Sequence, residues 1–206
     1  AATDEFNLSI AGLGAHAAKP HLSLDPIVIG AQLVQAMQTI VSRSVDPLES
    51  VVVSVTKFHA GEAHNIIPQT AALGGTVRTL KAEMRDLAER RIREIAAGIG
   101  AAHGVSIEVD YDRNYPVTVN HVANTLFAGD IPSEIGGEDR VDRDVAPMMG
   151  GEDFSYMLEA RPGAFIFIGN GDSAGLHNPA YDFNDDALPI GASYWVRLVE
   201  TSLAPA

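Results

Sequence analysis

Phe6-Asn7-Leu8-Ser9-Ile10 decides the fold of the first half of the chain, because its apolar and polar residues alternate strictly. A period of two places Phe6, Leu8 and Ile10 on one face of an extended strand. Gly12 and Gly14 then interrupt the pattern. The stretch therefore predicts a half-buried strand that begins a sheet with one covered face.

The segments that follow predict a helix and then two strands. Asp25-Pro26 is a strong helix start, because the carboxylate can cap the helix and proline fits its first position. An apolar face then recurs at helical spacing and consists of Gly30, Leu33, Val34, Met37, Ile40 and Val41. Residues 51–58 are rich in β-branched types and predict a second strand. Residues 71–79 predict a third strand, which Gly74 and Gly75 weaken.

A second helix and a fourth strand complete this pattern. From Ala82 the apolar residues again recur with a period of 3.6, and Gly104 is a natural C-terminal stop. Residues 105–112 alternate once more. The order β-α-β-β-α-β predicts a ferredoxin-like domain over residues 1–114, with a four-stranded antiparallel sheet and two helices on one face.

Residues 115–206 follow a different pattern. We expect a helix over 121–135, a short apolar strand over 164–168 and a closing amphipathic helix over 188–203. One or two strands do not build a sheet core of their own. The expected class is therefore α/β (α+β), with residues 115–206 forming an incomplete C-terminal portion of a larger α/β domain.

Composition limits the classes of function. The chain has 206 residues and a formal net charge of −13, and such an acidic surface repels nucleic acid and anionic lipid. No apolar run approaches the roughly 20 residues that a membrane helix needs. The chain contains no cysteine, which excludes disulfides and thiolate metal sites within it. We expect a cytoplasmic location.

The first candidate cluster is Gly12-Leu13-Gly14-Ala15-His16-Ala17-Ala18-Lys19-Pro20-His21. Its glycines and alanines permit a sharp turn and the close approach of another surface. His16 could donate a hydrogen bond to a carbonyl oxygen or a developing oxyanion. The alternative is a glycine-rich loop with a surface histidine.

Two further candidates lie on either side of residue 70. His64-Asn65-Ile66-Ile67-Pro68 is typical of a turn that leads into a strand. Arg78, in Gly75-Thr76-Val77-Arg78-Thr79, could bind a carboxylate through its guanidinium fork or simply be solvated or ion-paired.

The last candidates lie in the second half. Met149-Gly150-Gly151-Glu152-Asp153-Phe154 contains two adjacent carboxylates, which could cap a helix or belong to a site. His177 lies in Gly175-Leu176-His177-Asn178-Pro179, a segment bounded by glycine and proline. A lone histidine is a weak signal, because no paired ligand spacing occurs in this chain.

Together these five segments resemble the later part of the M20 metallopeptidase family, specifically its amidohydrolase branch. Its members hydrolyse N-acyl amino acids, hippurate and indole-acetyl amino acids. The resemblance implies that residues 1–114 form the lid (dimerisation) domain and that the chain forms a homodimer through it. It also implies that His16 enters the active site of the partner subunit, where it polarises the scissile carbonyl.

The same resemblance implies roles for the other candidates. Asn65 helps to hold the small N-acyl amino acid substrate, and Arg78 binds its carboxylate. Gly151 and Glu152 lie beside the metal centre and line the substrate pocket. His177 is the last metal ligand of the family, and Asn178 and Asp182 could support it.

The resemblance further implies a cofactor of two divalent ions per subunit, zinc, manganese or nickel. Full-length members carry an N-terminal segment with further metal ligands and a Glu-Glu pair that supplies the general base. Nothing in residues 1–206 matches these elements. Because a catalytic site needs about three protein ligands plus water, we expect this chain alone to lack the metal and to be inactive. The alternatives are a non-catalytic dimerisation or small-ligand-binding module and a ligand-sensing domain.

Overall fold

The computed structural model describes residues 1–203 and divides into two compact units. The first unit consists of residues 1–118 and 147–155, and the second of residues 119–146 and those from 156 onward. The predicted boundary between residues 1–114 and 115–206 stays a prediction.

The first unit contains the predicted sheet with its two helices. Its elements are β1 (Ala2–Ala11), β2 (Ala15–His16), α1 (Pro26–Thr39), β3 (Val51–Ala60), β4 (Ile66–Ile67), β5 (Thr70–Thr79), α2 (Ala82–His103) and β6 (Ser106–Arg113). The four long strands are antiparallel neighbours in the order β3-β5-β1-β6. The β-α-β-β-α-β order is confirmed, and the short pair of β2 and β4 is an addition that the sequence did not predict.

One face of the sheet carries the core of this unit. Phe6, Leu8 and Ile10 on β1 are almost completely buried, as their alternation predicts. They belong to one cluster with Leu33 and Met37 of α1 and with Ile92 and Ala96 of α2. Burial of each large side chain contributes roughly 1.5–3 kcal/mol, so the covered face supplies most of the driving force for folding.

The predicted start of α1 and the predicted end of α2 are confirmed. The Asp25 carboxylate accepts a hydrogen bond from the backbone N–H of Ile27 at 2.9 Å, and Pro26 is the first residue of α1. At the C-terminal end of α2, Gly104 has φ +67°, a left-handed conformation that glycine adopts without steric cost. The two caps therefore fix where α1 begins and where α2 ends.

The second unit is mainly helical. It contains α3 (Val122–Gly136), most of α4 (Phe154–Ala160) and α5 (Ala187–Ser202), so the helices expected at 121–135 and 188–203 are confirmed. α3 and α5 are joined by an ion pair of Arg197 Nε with Glu134 Oε2 at 2.7 Å. Across the described residues, no helix combines the length and the apolar character that a membrane crossing requires.

The prediction of a strand over 164–168 is wrong, because the backbone there is not part of any sheet. The side chain of Asn120 takes the place of a strand partner. Its Nδ2 donates to the Phe165 carbonyl, and its Oδ1 accepts from the Phe165 N–H, both at 2.8 Å. A sheet needs a backbone partner along its length, and one side-chain amide satisfies only one residue.

Candidate functional site

His16 lies in the two-residue strand β2, which pairs with β4. His16 is opposite Ile66, and the next residue, Ala17, donates its N–H to the Asn65 carbonyl at 3.0 Å. The structure therefore brings two predicted site residues, His16 and Asn65, together at the short antiparallel pair of β2 and β4.

Hydrogen bonding determines which nitrogen of the His16 ring is available. Nδ1 accepts a hydrogen bond from the backbone N–H of Ala18 at 3.1 Å. In a neutral imidazole the other nitrogen, Nε2, then carries the proton. His16 thus presents an N–H donor from an exposed position, which suits a hydrogen bond to a carbonyl oxygen.

The glycines before His16 permit the close approach of backbone that the sequence predicts. A Cβ at Gly14 would lie 2.7 Å from the carbonyl oxygen of Ile67, and one at Gly12 would overlap the carbonyl oxygen of Leu24. The N–H of Gly14 also donates to Gln69 Oε1 at 3.1 Å. The contacts of Gly14 with Ile67 and Gln69 hold the segment before His16 against the residues that precede β5.

Arg78 lies near the opposite end of β5, between Thr3 on β1 and Val52 on β3. Gly151 packs directly on Thr3, where a Cβ would overlap the threonine side chain. The backbone nitrogen of Ala1 lies 2.6 Å from the Gly150 carbonyl oxygen. Arg78 and Gly151 therefore belong to the same end of the first unit.

Glu152 follows Gly151 directly, just before α4. Its backbone carbonyl accepts a hydrogen bond from the N–H of Ser155 at 3.2 Å, in the first turn of that helix. The backbone of Glu152 thus belongs to the start of the helix. Its side chain is half-buried, and the preceding residue, Gly151, packs on Thr3.

The two groups of predicted residues are far apart within one chain. β5 has ten residues, so at about 3.3 Å per residue it spans roughly 30 Å. Asn65 precedes the first residue of β5, and Arg78 is its second-last residue. A small acylated amino acid cannot reach from one group to the other within a single copy.

His177 lies in the second unit, at an exposed turn in the loop before α5. Its φ of +66° makes it the one non-glycine residue of the described chain in the left-handed region. The N–H of Asn178 donates to the Gly175 carbonyl at 3.1 Å, and Asn178 Oδ1 accepts from the Ala180 N–H at 2.9 Å. Asn178 thus shapes the turn, and its expected support of the His177 ring stays a prediction, as does that of Asp182.

The residues of this chain do not assemble a metal site by themselves. Within residues 1–203, no three or more histidine, cysteine, aspartate or glutamate side chains are grouped so that they could hold an ion. His177 contributes one ligand atom at most in this arrangement.

Sequence reasoning missed a buried polar cluster beneath the Arg78 end of the sheet. Asp4 on β1 is 1% exposed and accepts hydrogen bonds from Arg85 Nε at 2.9 Å and from the Tyr111 hydroxyl at 2.7 Å. Arg85 also donates to the Asn114 carbonyl at 3.1 Å. Burial and the Asp4 carboxylate raise the pKa of Tyr111 well above its usual value. No motif marks Asp4, because it continues the alternation of β1 as a polar residue at an inward position.

The comparisons with known proteins cover nearly the whole chain. The sequence profile of Peptidase family M20/M25/M40 matches residues 7–201. A hippurate hydrolase from Campylobacter jejuni is 38% identical over 198 residues, which cover 96% of this chain and 52% of that protein. An N-acetyl-L-cysteine deacetylase from Bacillus subtilis is 39% identical over 196 residues, which cover 95% of this chain and 46% of that protein.

A solved structure agrees with these relatives. A Bacillus subtilis protein described as a dinuclear metal-binding peptidase from the M20 family superposes with a TM-score of 0.73 at 27% identity. The match covers 100% of this chain and 51% of that one. The chain thus spans about half the length of the proteins that it matches.

Proposed function

The chain belongs to Peptidase family M20/M25/M40, and from this membership we propose that it is part of a metal-dependent amidohydrolase acting on N-acyl amino acids or similar small acylated substrates. The main support is the match over residues 7–201 together with relatives named hippurate hydrolase and N-acetyl-L-cysteine deacetylase. The acidic composition disfavours a nucleic-acid substrate, and a cytoplasmic location is part of the proposal.

His16 is the proposed electrophilic group. Because Nδ1 accepts a hydrogen bond from the Ala18 N–H, the proton of the neutral ring is on Nε2, and the Nε2–H is the available donor. A donor placed at the scissile carbonyl oxygen stabilises the negative charge that develops there in the tetrahedral transition state. His16 would therefore assist the reaction without itself gaining or losing a proton.

Arg78 and Asn65 are the proposed substrate-holding residues, with Gly151 and Glu152 beside Arg78. A guanidinium can bind the substrate carboxylate through two parallel hydrogen bonds. Because β5 separates Arg78 from Asn65 by roughly its full length of about 30 Å, one substrate can meet both only if they come from different copies of the chain. We therefore assign His16 and Asn65 of one copy, with Arg78 of the other, to each site.

An exposed apolar surface beside His16 supports a homodimer through the first unit. We use the name Leu13 patch for six exposed apolar residues from this part of the sequence, Leu13, Leu22, Leu24, Ile27, Val28 and Ile66, each 38–57% exposed. Leu13 and Leu24 are paired through their backbones, and Ile66 is opposite His16. Exposed apolar residues on an acidic chain favour a contact with another protein, and in the proposed homodimer the same patch meets itself.

Two divalent ions per subunit, zinc, manganese or nickel, belong to the proposal for the whole protein. In the whole protein, such ions would supply Lewis acidity toward a bound water molecule. His177 is proposed as one of their ligands. We propose that the 206-residue chain does not retain the ions and is inactive alone, which metal analysis and a hydrolysis assay with hippurate test directly.

Complementation in the longer protein that would contain this chain tests the shared site. His16→Ala and Arg78→Ala are each expected to lower kcat/KM for N-acetyl-L-cysteine or hippurate by about 100-fold or more. Mixed dimers contain one site with both residues intact, so an equal mixture should recover about a quarter of the wild-type activity.

The matched control is His59→Ala on β3, which belongs to none of the motifs and should leave turnover unchanged. Unchanged turnover in both His16→Ala and His177→Ala would refute the assigned roles. Absence of recovery in the mixture would refute sites shared between copies while leaving the hydrolase proposal intact.

The second candidate function is a non-catalytic dimerisation or small-ligand-binding module. The exposed Leu13 patch favours it. Metal-dependent hydrolysis by the purified 206-residue chain would exclude it, whereas dimerisation without hydrolysis in the longer protein would support it.

A further inference from the structure

The loop that carries His177 is closed at its base by one side chain, Asn170. Asn170 Oδ1 accepts a hydrogen bond at 2.8 Å from the N–H of Asn184, which is 14 residues further along the chain. Asn170 Nδ2 donates to the Asp182 carbonyl at 3.0 Å and to the Ser173 hydroxyl at 3.2 Å. All of the usual hydrogen-bonding groups of the amide are thereby used within this loop.

Asn170 makes hydrogen bonds of the kind that a neighbouring β-strand would make. The carbonyl of residue i and the N–H of residue i+2 point to the same side of an extended segment, where a neighbouring strand would bind both. Asn170 binds this pair of groups on Asp182 and Asn184 with its side-chain amide. One side chain thus fixes the position of the returning end of the loop relative to its outgoing end.

The bonds continue from the base of the loop into α5. Asn184 Oδ1 accepts from the N–H of Asp186, and the Asn184 carbonyl accepts from the N–H of Ala187, at 3.0 Å each. Asn170 is therefore connected to the first turn of a sixteen-residue helix. On its outgoing side, Gly171 has φ +74°, which turns the chain away from the base at once.

We propose that Asn170 is the positioning residue of the His177 loop: its side-chain amide fixes the loop to the start of α5 and so sets the place and backbone conformation of His177. His177 depends on such support because it holds a φ of +66° at an exposed turn, a conformation that costs a non-glycine residue energy. The relevance of this position to hydrolysis rests on the proposed function; the structural role does not.

Nuclear magnetic resonance of the 206-residue chain tests this role without an activity assay. In Asn170→Ala, we expect the Asn184 amide to exchange with solvent faster by on the order of tenfold, because its acceptor is lost. The His177 imidazole signals should shift toward those of an unstructured histidine. Asn170→Asp keeps the oxygen that Asn184 requires and should preserve most of the Asn184 protection.

Asn124→Ala, a substitution on α3 outside the loop, is the matched control and should leave both readouts unchanged. The proposal is overturned if Asn170→Ala leaves the His177 signals in place. It is also overturned if amides along α5 lose protection as much as Asn184 does, since that marks a general loss of stability. Failure of the hydrolase proposal is seen in turnover instead, so the two failures are distinguishable.

Discussion

Gly75 shows how one residue without a side chain can be required by a packed sheet. A Cβ at this position would overlap the carbonyl oxygen of Ser54 and the ring of Phe6. The apparent weakness that glycine gives to the third predicted strand is thus the condition for placing Phe6 in the core. We expect Gly75→Ala to lower the free energy of unfolding by about 2–3 kcal/mol, measured by urea denaturation.

Gly98→Ala is the matched control for this prediction. Gly98 lies within α2, and no atom lies within 4 Å of the position that its Cβ would occupy. Alanine there should raise the free energy of unfolding by up to about 1 kcal/mol, because it favours the helix. Equal effects of the two substitutions would contradict the packing argument.

Tyr111 gives the stability a predictable dependence on alkaline pH. Burial and Asp4 raise the pKa of its hydroxyl in the folded chain, whereas in the unfolded chain this pKa has the ordinary tyrosine value of about 10. Its contribution is therefore complete below pH 10 and is lost as the pH rises above that value, because only the unfolded state releases the proton. The loss should approach about 1.4 kcal/mol per pH unit for this one group.

Urea denaturation at pH 9, 10 and 11 measures this dependence. Tyr111→Phe should unfold with a shallower loss of stability above pH 10 than the original chain. Tyr181→Phe, at an exposed position, should follow the original chain. Identical pH profiles for the original chain and Tyr111→Phe would show that Tyr111 ionises equally in both states.

At the scale of elements, α1 depends on a cap that the sequence identifies. The Asp25 side chain accepts from the Ile27 N–H, one of the donors that the first turn of a helix leaves unsatisfied. We expect Asp25→Ala to lower the free energy of unfolding by about 1 kcal/mol and Asn at this position to be nearly neutral. Urea denaturation of the two variants compares them, and an equal loss in both would indicate a role of charge instead of capping.

Elements with a long, regular apolar period were predictable from the sequence. The alternation at Phe6, Leu8 and Ile10 and the helical face of α1 each describe burial against the same core, so local pattern and tertiary structure agree. The segment 164–168 was not predictable in this way. Apolar residues alone do not distinguish a strand from an extended segment that is held by a side chain, here that of Asn120.

The candidate site was only partly predictable, and the reason lies at the scale of the whole molecule. The motifs identified His16, Asn65 and Arg78, but a motif contains no information about distance between segments. The pairing of β5 with β1 and β3 determines that distance, and it places the two groups near opposite ends of the sheet. Asn170 has no motif at all, because its role depends on residues 14 positions away.

The homodimer is the prediction that belongs to this scale. Val28→Lys places a charge in the Leu13 patch and should convert a dimer to a monomer at micromolar concentration in sedimentation equilibrium. Leu48→Lys is the control, because Leu48 is 92% exposed and lies outside that patch. A monomeric original chain, or dissociation by both substitutions, would exclude the Leu13 patch as the interface.

β1 and β6, the first and last strands of the four-stranded sheet in chain order, are neighbours in it. Asp4 on β1 is opposite Arg113 on β6, and the N–H of Thr3 donates to the Tyr115 carbonyl at 3.0 Å. The incoming and outgoing segments therefore lie side by side at one corner. A module with that geometry can be grafted into a surface loop of an unrelated host through two short linkers, without stretching either protein.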